Sequence, residues 1–419
     1  MTPRERIQRA LAHEETDLIP LDLGATDVTG IHVSTYARFR EALGLEPRRP
    51  RLIEPLQMLA QVEMDVVEAA GLDAVPVSLP GTVFGLPLKN WKPWRMPDGT
   101  EIEVPGDFHT TRGPDGTTYL HPQGDLNAAP SGSMPAGGYY FDPVPRQQPL
   151  DLDRLDPQEW VDDMYHVYQD EELRYLEETA QRLYHDTDRA LVGWLGEGGF
   201  GDIALVPGLG VSRPRGIRDP EQWIMAHVQY PDYIKGVYRL QCDIALRNLQ
   251  LLYEAVGDTL QVIGISGTDF GTQNGPFISP DMYRDIYQPF HRELNDWIHQ
   301  HTPWKTFYHT CGSVMALLDD MVNAGVDILN PVQCSAAEMD PATLKSRYGD
   351  RLVFWGGGVD NQHTLPFGTP EEVRAEAESR CRILGAGGGF VFNPVHNVQP
   401  GTPMPNLMAM LDVLKRRFS

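Results

Sequence analysis

The chain has 419 residues, 41% of them hydrophobic and 22% charged, with 35 Lys plus Arg against 58 Asp plus Glu. That composition buries a full core and excludes a disordered chain. The formal charge of -23 opposes contact with nucleic acid or anionic lipid and favours a small-molecule partner.

The opening MTPRERIQRALAHEETD lacks the apolar core of a secretory signal, and no later stretch approaches about 18 uninterrupted apolar residues, so a cytoplasmic protein is expected. In chain order, apolar or β-branched runs predict strands at LIPLDL (18–23), DAVPVSL (73–79), ALVGWL (190–195), LQVIGIS (260–266), KTFYH (305–309), VDILN (326–330), LVFWG (352–356) and GFVFN (389–393). Helices are expected after Ser279, after Ser313 and after Thr369-Pro370, with Gly325 and Gly385 closing the last two. Eight strands alternating with helices predict a (β/α)8 TIM barrel spanning 1–419. Residues 81–150 break the alternation: the turn signals Pro97-Asp98-Gly99 and Pro114-Asp115-Gly116 between short β runs predict a small meander after strand two, a lid or rim element. The acidic, amphipathic 151–189 stretch reads as helix with a solvated face.

In such a barrel, chemistry belongs to the C-terminal ends of the strands. There the sequence places Asp27, Glu197, Asp269 and Gln273, then His309 and Cys311, Asn330 and Gln333, Asp360 and Gln362, and finally Asn393, His396 and Gln399. For any single one of these, an ordinary polar loop residue is the simpler reading. His309 and Cys311 are more specific, because residues i and i+2 of extended backbone share a face and reach one ion together. A catalytic zinc takes three protein ligands and keeps one position open, and His396 is the candidate third. A helix starting at Ser313 would favour a Cys311 thiolate, which leaves a nucleophilic cysteine open as well. The four cysteines are too dispersed for a disulfide framework; Cys242 and Cys381 read as packed thiols, and Cys334 as a spare ligand. GEGGFG at 196–201 fits a dinucleotide fingerprint but is followed by Pro207, Gly208 and Gly210 rather than a long helix, so it is set aside. WGGGVD (355–360) reads as a tight turn at the top of the barrel, and GAGGG (385–389) as a helix stop at its bottom.

GTDFGTQNGPFISPDMYRDIYQPF, FYHTCGSV, AGVDILNPVQ, GDRLVFWGGGVDNQ and FNPVHNVQPGTPMPNL, with the opening MTPRERIQRALAHEETDLIPLDLG, resemble the uroporphyrinogen decarboxylase superfamily, and in particular its cobalamin-dependent methyltransferase branch. The resemblance implies a (β/α)8 barrel. True decarboxylases carry Arg-Gln-Ala-Gly-Arg after the first strand, where this chain has LGATDVTG without either arginine; the clamps for a polyacidic substrate are missing. The methyltransferases bind zinc through His-x-Cys and a later cysteine. His309 and Cys311 match the first two, whereas His396 stands at the third, as in the decarboxylases.

The expectation is a zinc-dependent methyltransferase acting between a small methylated compound and a corrinoid (cobalamin) carried on a partner protein, or from that corrinoid to a thiol or folate. Asp269, Asp360 and His396 are the catalytic candidates; Asp27, Glu197, Gln273, Asn330, Gln333, Gln362, Asn393 and Gln399 the substrate-binding ones. A homo-oligomer is compatible with the sequence. The alternatives are a cofactor-free decarboxylase or lyase using His396 and Asp269, with any metal held by Asp269 or Asp360, and a barrel that binds its ligand without turnover.

Overall fold

The computed structural model describes residues 1–418. Seven parallel strands form one sheet, in the spatial order Phe390–Val391, Val353–Trp355, Ile328–Asn330, Lys305–His309, Val262–Ser266, Ala190–Gly193, Ala74–Val77. Each lies within a run predicted from the sequence. The first run, 18–23, contributes a single bridge instead of a strand: Leu21 pairs in parallel with Phe392, and its carbonyl accepts the Asp73 N–H at 2.8 Å. It thereby occupies the gap between the two edge strands and closes the barrel. Pro20 offers no N–H to a ladder, and the buried Asp73 carboxylate takes the Leu21 N–H at 2.7 Å, so side-chain chemistry replaces a strand there.

Parallel strands covered on both faces read as continuous apolar runs, and the core has two layers accordingly. Ala74, Val192, Val262, Phe307, Ile328, Val353, Trp355 and Val391 fill the barrel interior together with Ile7, Ala10 and Leu11 of the N-terminal helix Pro3–Leu11. A larger layer packs between strands and helices. Of the expected helix starts, Ser279 caps through Met282 N–H and Thr369 forms a capping box with Glu372. Between Ser279 and the helix Gln288–His301 the chain widens into a π segment, Tyr283–Tyr287. Pro289, which has no N–H to donate, explains the widening.

Ser313 is not a cap. The next helical turn, Met315–Leu317, is 3-10, opens at Val314 without a side-chain cap, and leads into the short helix Leu318–Asn323. Residues 81–150 form an antiparallel hairpin, Lys92–Arg95 with Glu101–Val104, and a four-stranded meander running from Thr110 to Pro143 in sequence order. Gly99 and Gly116 have positive φ in the predicted turns. Tyr140 Oη donates to Gln399 Oε1, and Gln123 Nε2 to Gly210 O at 2.9 Å, so the meander is fastened to loops beyond two barrel strands. Among the described residues no helix is long and apolar enough to cross a membrane.

Candidate metal centre

Strand alternation decides what the Lys305–His309 strand presents. Phe307 faces the barrel interior, Tyr308 faces outward with its hydroxyl donating to Asn295 Oδ1 at 3.0 Å, and His309 returns to the interior at the strand's C-terminal end. Asn330 is its neighbour in register. The two side chains bond, His309 Nδ1 to Asn330 Oδ1 at 2.6 Å, while Asn330 Nδ2 donates to Trp355 O at 2.7 Å. That second bond fixes the amide so that its oxygen faces the imidazole, which puts the proton on Nδ1 and leaves Nε2 with a free lone pair.

Beyond His309 the chain turns sharply. Gly312 has φ +85°, and a Cβ there would lie 2.5 Å from the Gly271 carbonyl carbon; only glycine fits this approach. The turn is pinned by Cys311 N–H donating to Asp269 Oδ1 at 2.6 Å and Gly312 N–H donating to Gln333 Oε1 at 2.8 Å. Gln333 in turn donates to Gln273 Oε1 at 3.0 Å. Gln273 and Gln333 are thus engaged in bracing the cysteine turn.

His309, Cys311 and His396 offer ligand atoms that all lie within 4.8 Å of one another. Cys311 Sγ is 3.4 Å from His309 Nε2, and the His309 and His396 rings meet edge to face with centroids 5.1 Å apart. Ligands bound tetrahedrally to zinc stand about 3.3 to 3.8 Å apart. The His309–Cys311 pair is already at that spacing, and closure of His396 onto the ion completes a three-ligand set. His396 has a competing commitment: its Nδ1 accepts the Asn397 N–H at 2.8 Å. A metal at Nδ1 displaces that donor, and a metal at Nε2 requires a proton on Nδ1 facing it. Either way the hydrogen bond is lost, at a cost of about 1 kcal/mol, small against the free energy of a zinc site. The donor set therefore fits zinc.

Burial and the adjacent His309 hold His396 down to about 3, so its ring is neutral, as a ligand must be. Burial, then Asp269 and Asp202, raise the Cys311 thiol well above its ordinary value. With no helix N-terminus beside it, the sulfur is a neutral thiol until a cation compensates the carboxylates, which a bound dication does. This corrects the expectation of a thiolate favoured by a helix at Ser313.

Asp269 joins the cluster's edge, with Oδ1 3.6 Å from His309 Nε2. Other candidates stand elsewhere. Glu197 accepts from Asn248 Nδ2 at 2.7 Å on the helix Pro231–Val256, and burial raises it to about 7. Asp360 Oδ1 receives the N–H groups of Gln362 and His363 at 2.8 and 2.6 Å, closing its own loop, and Gln362 is exposed. Asn393 Nδ2 donates to Asp22 O at 2.8 Å, tying the last strand to the first segment. Gln399 donates to Asn397 O at 2.8 Å and meets Tyr140. Asp27 is raised to about 6 by burial and stands beside Glu54, which burial and Asp27 together push to about 8. The spare ligand Cys334 bonds Val332 O at 3.5 Å outside the cluster, and burial pushes the packed thiols of Cys242 and Cys381 up to about 12.

Sequence reasoning missed Asp202 and Glu54. Burial and then Asp269 raise Asp202 to about 7. The available signal was the glycine-rich GEGGFG run, which delivers Asp202 to the site instead of binding a dinucleotide.

Comparison with known proteins bears on the same residues. Residues 213–417 match the family described as Uroporphyrinogen decarboxylase (URO-D), a span that contains all three converging side chains. The methylcobamide:CoM methyltransferase MtaA of Methanosarcina barkeri is 28% identical over 134 residues, 32% of this chain and 36% of that protein. The uroporphyrinogen decarboxylase of Psychromonas ingrahamii is 32% identical over 76 residues, 18% of this chain and 21% of that protein. These matches span about a third and about a fifth of the relatives' lengths. A methyltransferase from Methanosarcina mazei superposes with a TM-score of 0.55 at 17% identity, covering 99% of this chain and 98% of that one, which shows a shared barrel fold. The match to the uroporphyrinogen decarboxylase family thus lies in the C-terminal half of the chain, residues 213–417.

Proposed function

We propose that the protein is a methyltransferase in which His309, Cys311 and His396 hold zinc, moving a methyl group between a small methylated compound and a corrinoid supplied by a partner protein, or from that corrinoid to a thiol or folate. The observation that carries the reading is the convergence of those three side chains at the barrel mouth, with Asn330 setting the His309 tautomer. When bound, zinc supplies Lewis acidity, lowering the pKa of an acceptor thiol or of a departing group. Asn330 keeps the His309 Nε2 lone pair directed into the mouth, and the Gln273–Gln333 pair holds the Cys311 turn. Asp269 fixes the Cys311 backbone and presents a carboxylate oxygen that orients a substrate donor. Asp202, raised to about 7, is suited to receive or return a proton near neutral pH. The meander, fastened to Gln399, serves as a wall that excludes water. The corrinoid comes on a separate chain in the cytoplasm.

The test is metal content by elemental mass spectrometry beside methyl transfer with a methylated corrinoid protein. About one zinc per chain, lost with activity in Cys311→Ala, supports the proposal; full activity in metal-free protein overturns it.

One observation favours a second reading. With Nδ1 accepting the Asn397 N–H, the neutral His396 ring carries its proton on Nε2 and is a ready donor, as a metal-free decarboxylase or lyase needs. Carbon dioxide release by metal-free protein that is lost in His396→Ala but retained in Cys311→Ala selects that reading.

A further inference from the structure

Beside the metal centre, and separate from its ligands, lies a cavity of about 140 Å³ whose wall includes Asp269, Thr268, Trp223, His227 and Tyr287. Its rim is apolar and open to solvent: Ile203, Ile224, Val228 and Phe277 all line it and are 37%, 44%, 71% and 41% exposed. Exposed apolar side chains are ordinary singly, but a contiguous set around a concavity marks a binding surface.

The wall's chemistry restricts the occupant. It contains no Lys or Arg. Tyr287 and Tyr238 hydroxyls stand 2.6 and 3.0 Å from His227 Nε2, and His227 Nδ1 lies 2.9 Å from Trp223 O. Nδ1 therefore donates to that carbonyl, and burial, which lowers the His227 pKa, favours the neutral ring with Nε2 accepting from the hydroxyls. Asp269 is the one charged group, so an anion is disfavoured. A cavity of about 150 Å³ lined by apolar side chains holds benzene in other proteins, which sets the size. Gly201 leaves room at the cavity's inner wall, where a Cβ would approach Trp223 Nε1 to 2.9 Å. Asp269 belongs to this wall and also sits 3.6 Å from His309 Nε2, so the cavity and the metal-ligand cluster meet at this residue.

We propose that this cavity is the subsite for the body of the methylated compound, a neutral apolar ring about the size of benzene, with its methyl-bearing atom directed past Asp269 toward His309 and Cys311. The role as a substrate subsite rests on the methyl-transfer reading; the binding itself needs neither metal nor turnover.

The test uses 4-fluoroanisole as probe, followed by fluorine NMR on the full chain. Wild type is expected to bind it, chelator-treated wild type to bind within twofold of the untreated protein, and the double variant Ile203→Glu with Val228→Glu at least tenfold more weakly. Both substituted rim positions are exposed, so folding is not at stake, and benzene competition on wild type gives a check that needs no variant. Benzene should displace the probe, and tetramethylammonium should not. Equal affinity in the double variant, no binding by wild type, or displacement by tetramethylammonium alone overturns the subsite. If binding follows expectation but no methyl transfer is found with a corrinoid protein, the ring-binding cavity stands and the methyl-transfer reading falls.

Discussion

The two walls of the barrel mouth present their candidate ligands differently. On the 305–330 side every hydrogen bond favours ligation: Asn330 leaves His309 Nε2 unprotonated, and Asp269 and Gln333 pin the turn that carries Cys311. On the 393–399 side His396 is bonded through Nδ1 to its own backbone neighbour, and Asn361 Nδ2 donates to His396 O and Asn397 O, at 2.7 Å each. One wall is a preformed pair of ligands, and the other is a clamp that must release a bond before it can bind. Under the proposed zinc site, affinity would reside in the fixed pair and the response to metal in His396.

Removing the fixed pair should do the most damage. Cys311→Ala is expected to lose bound zinc and to slow methyl transfer by about 10³-fold, since Lewis-acid activation is worth several kcal/mol; elemental analysis and single-turnover rates check it. Asn330→Ala, which frees the His309 tautomer, should weaken zinc affinity by about 10- to 100-fold, measured by chelator competition, with Asn330→Asp restoring it; no change would show that the wall is not preorganised.

The opposite wall also predicts a pH effect. Glu54 is held at about 8 against an ordinary value of 4.5, so between those values the native state binds the extra proton. Its stabilising contribution is therefore whole below about pH 4.5 and lost as pH rises through about 8. Glu54→Gln should raise the unfolding free energy relative to wild type by up to about 4 kcal/mol more at pH 9 than at pH 5, read from urea midpoints. The smallest effect expected is from Tyr140→Phe, which deletes the bond to Gln399 and should cost about 1 kcal/mol or less while raising amide exchange in 132–143 more than in 305–309.

Strand positions were legible because a doubly covered parallel strand is a local, continuous apolar run: KTFYH is observed over the residues expected, Lys305–His309. The His309, Cys311 and His396 grouping was legible too, since i and i+2 spacing is local and a closed barrel brings the loop after its last strand across the mouth from the fifth run. Side-chain directions in the loops were not. Glu197 is claimed by Asn248, 51 residues away, and Asp360 by the N–H groups of its own turn; nothing local to either residue distinguishes these outcomes from a site carboxylate. Ser313 failed as a cap because Gly312 and its contacts with residues 271–272 delay the helix past it.

The single bridge between Leu21 and Phe392 has a consequence for synthesis of the chain. Until residue 392 leaves the ribosome, Leu21 has only Asp73 as a partner, and its flank toward Phe392 stays bare while more than three hundred residues are added. Parallel edges left open in this way recruit other chains. The seam is thus the last joint to form and the point where a nascent copy is most exposed to its neighbours.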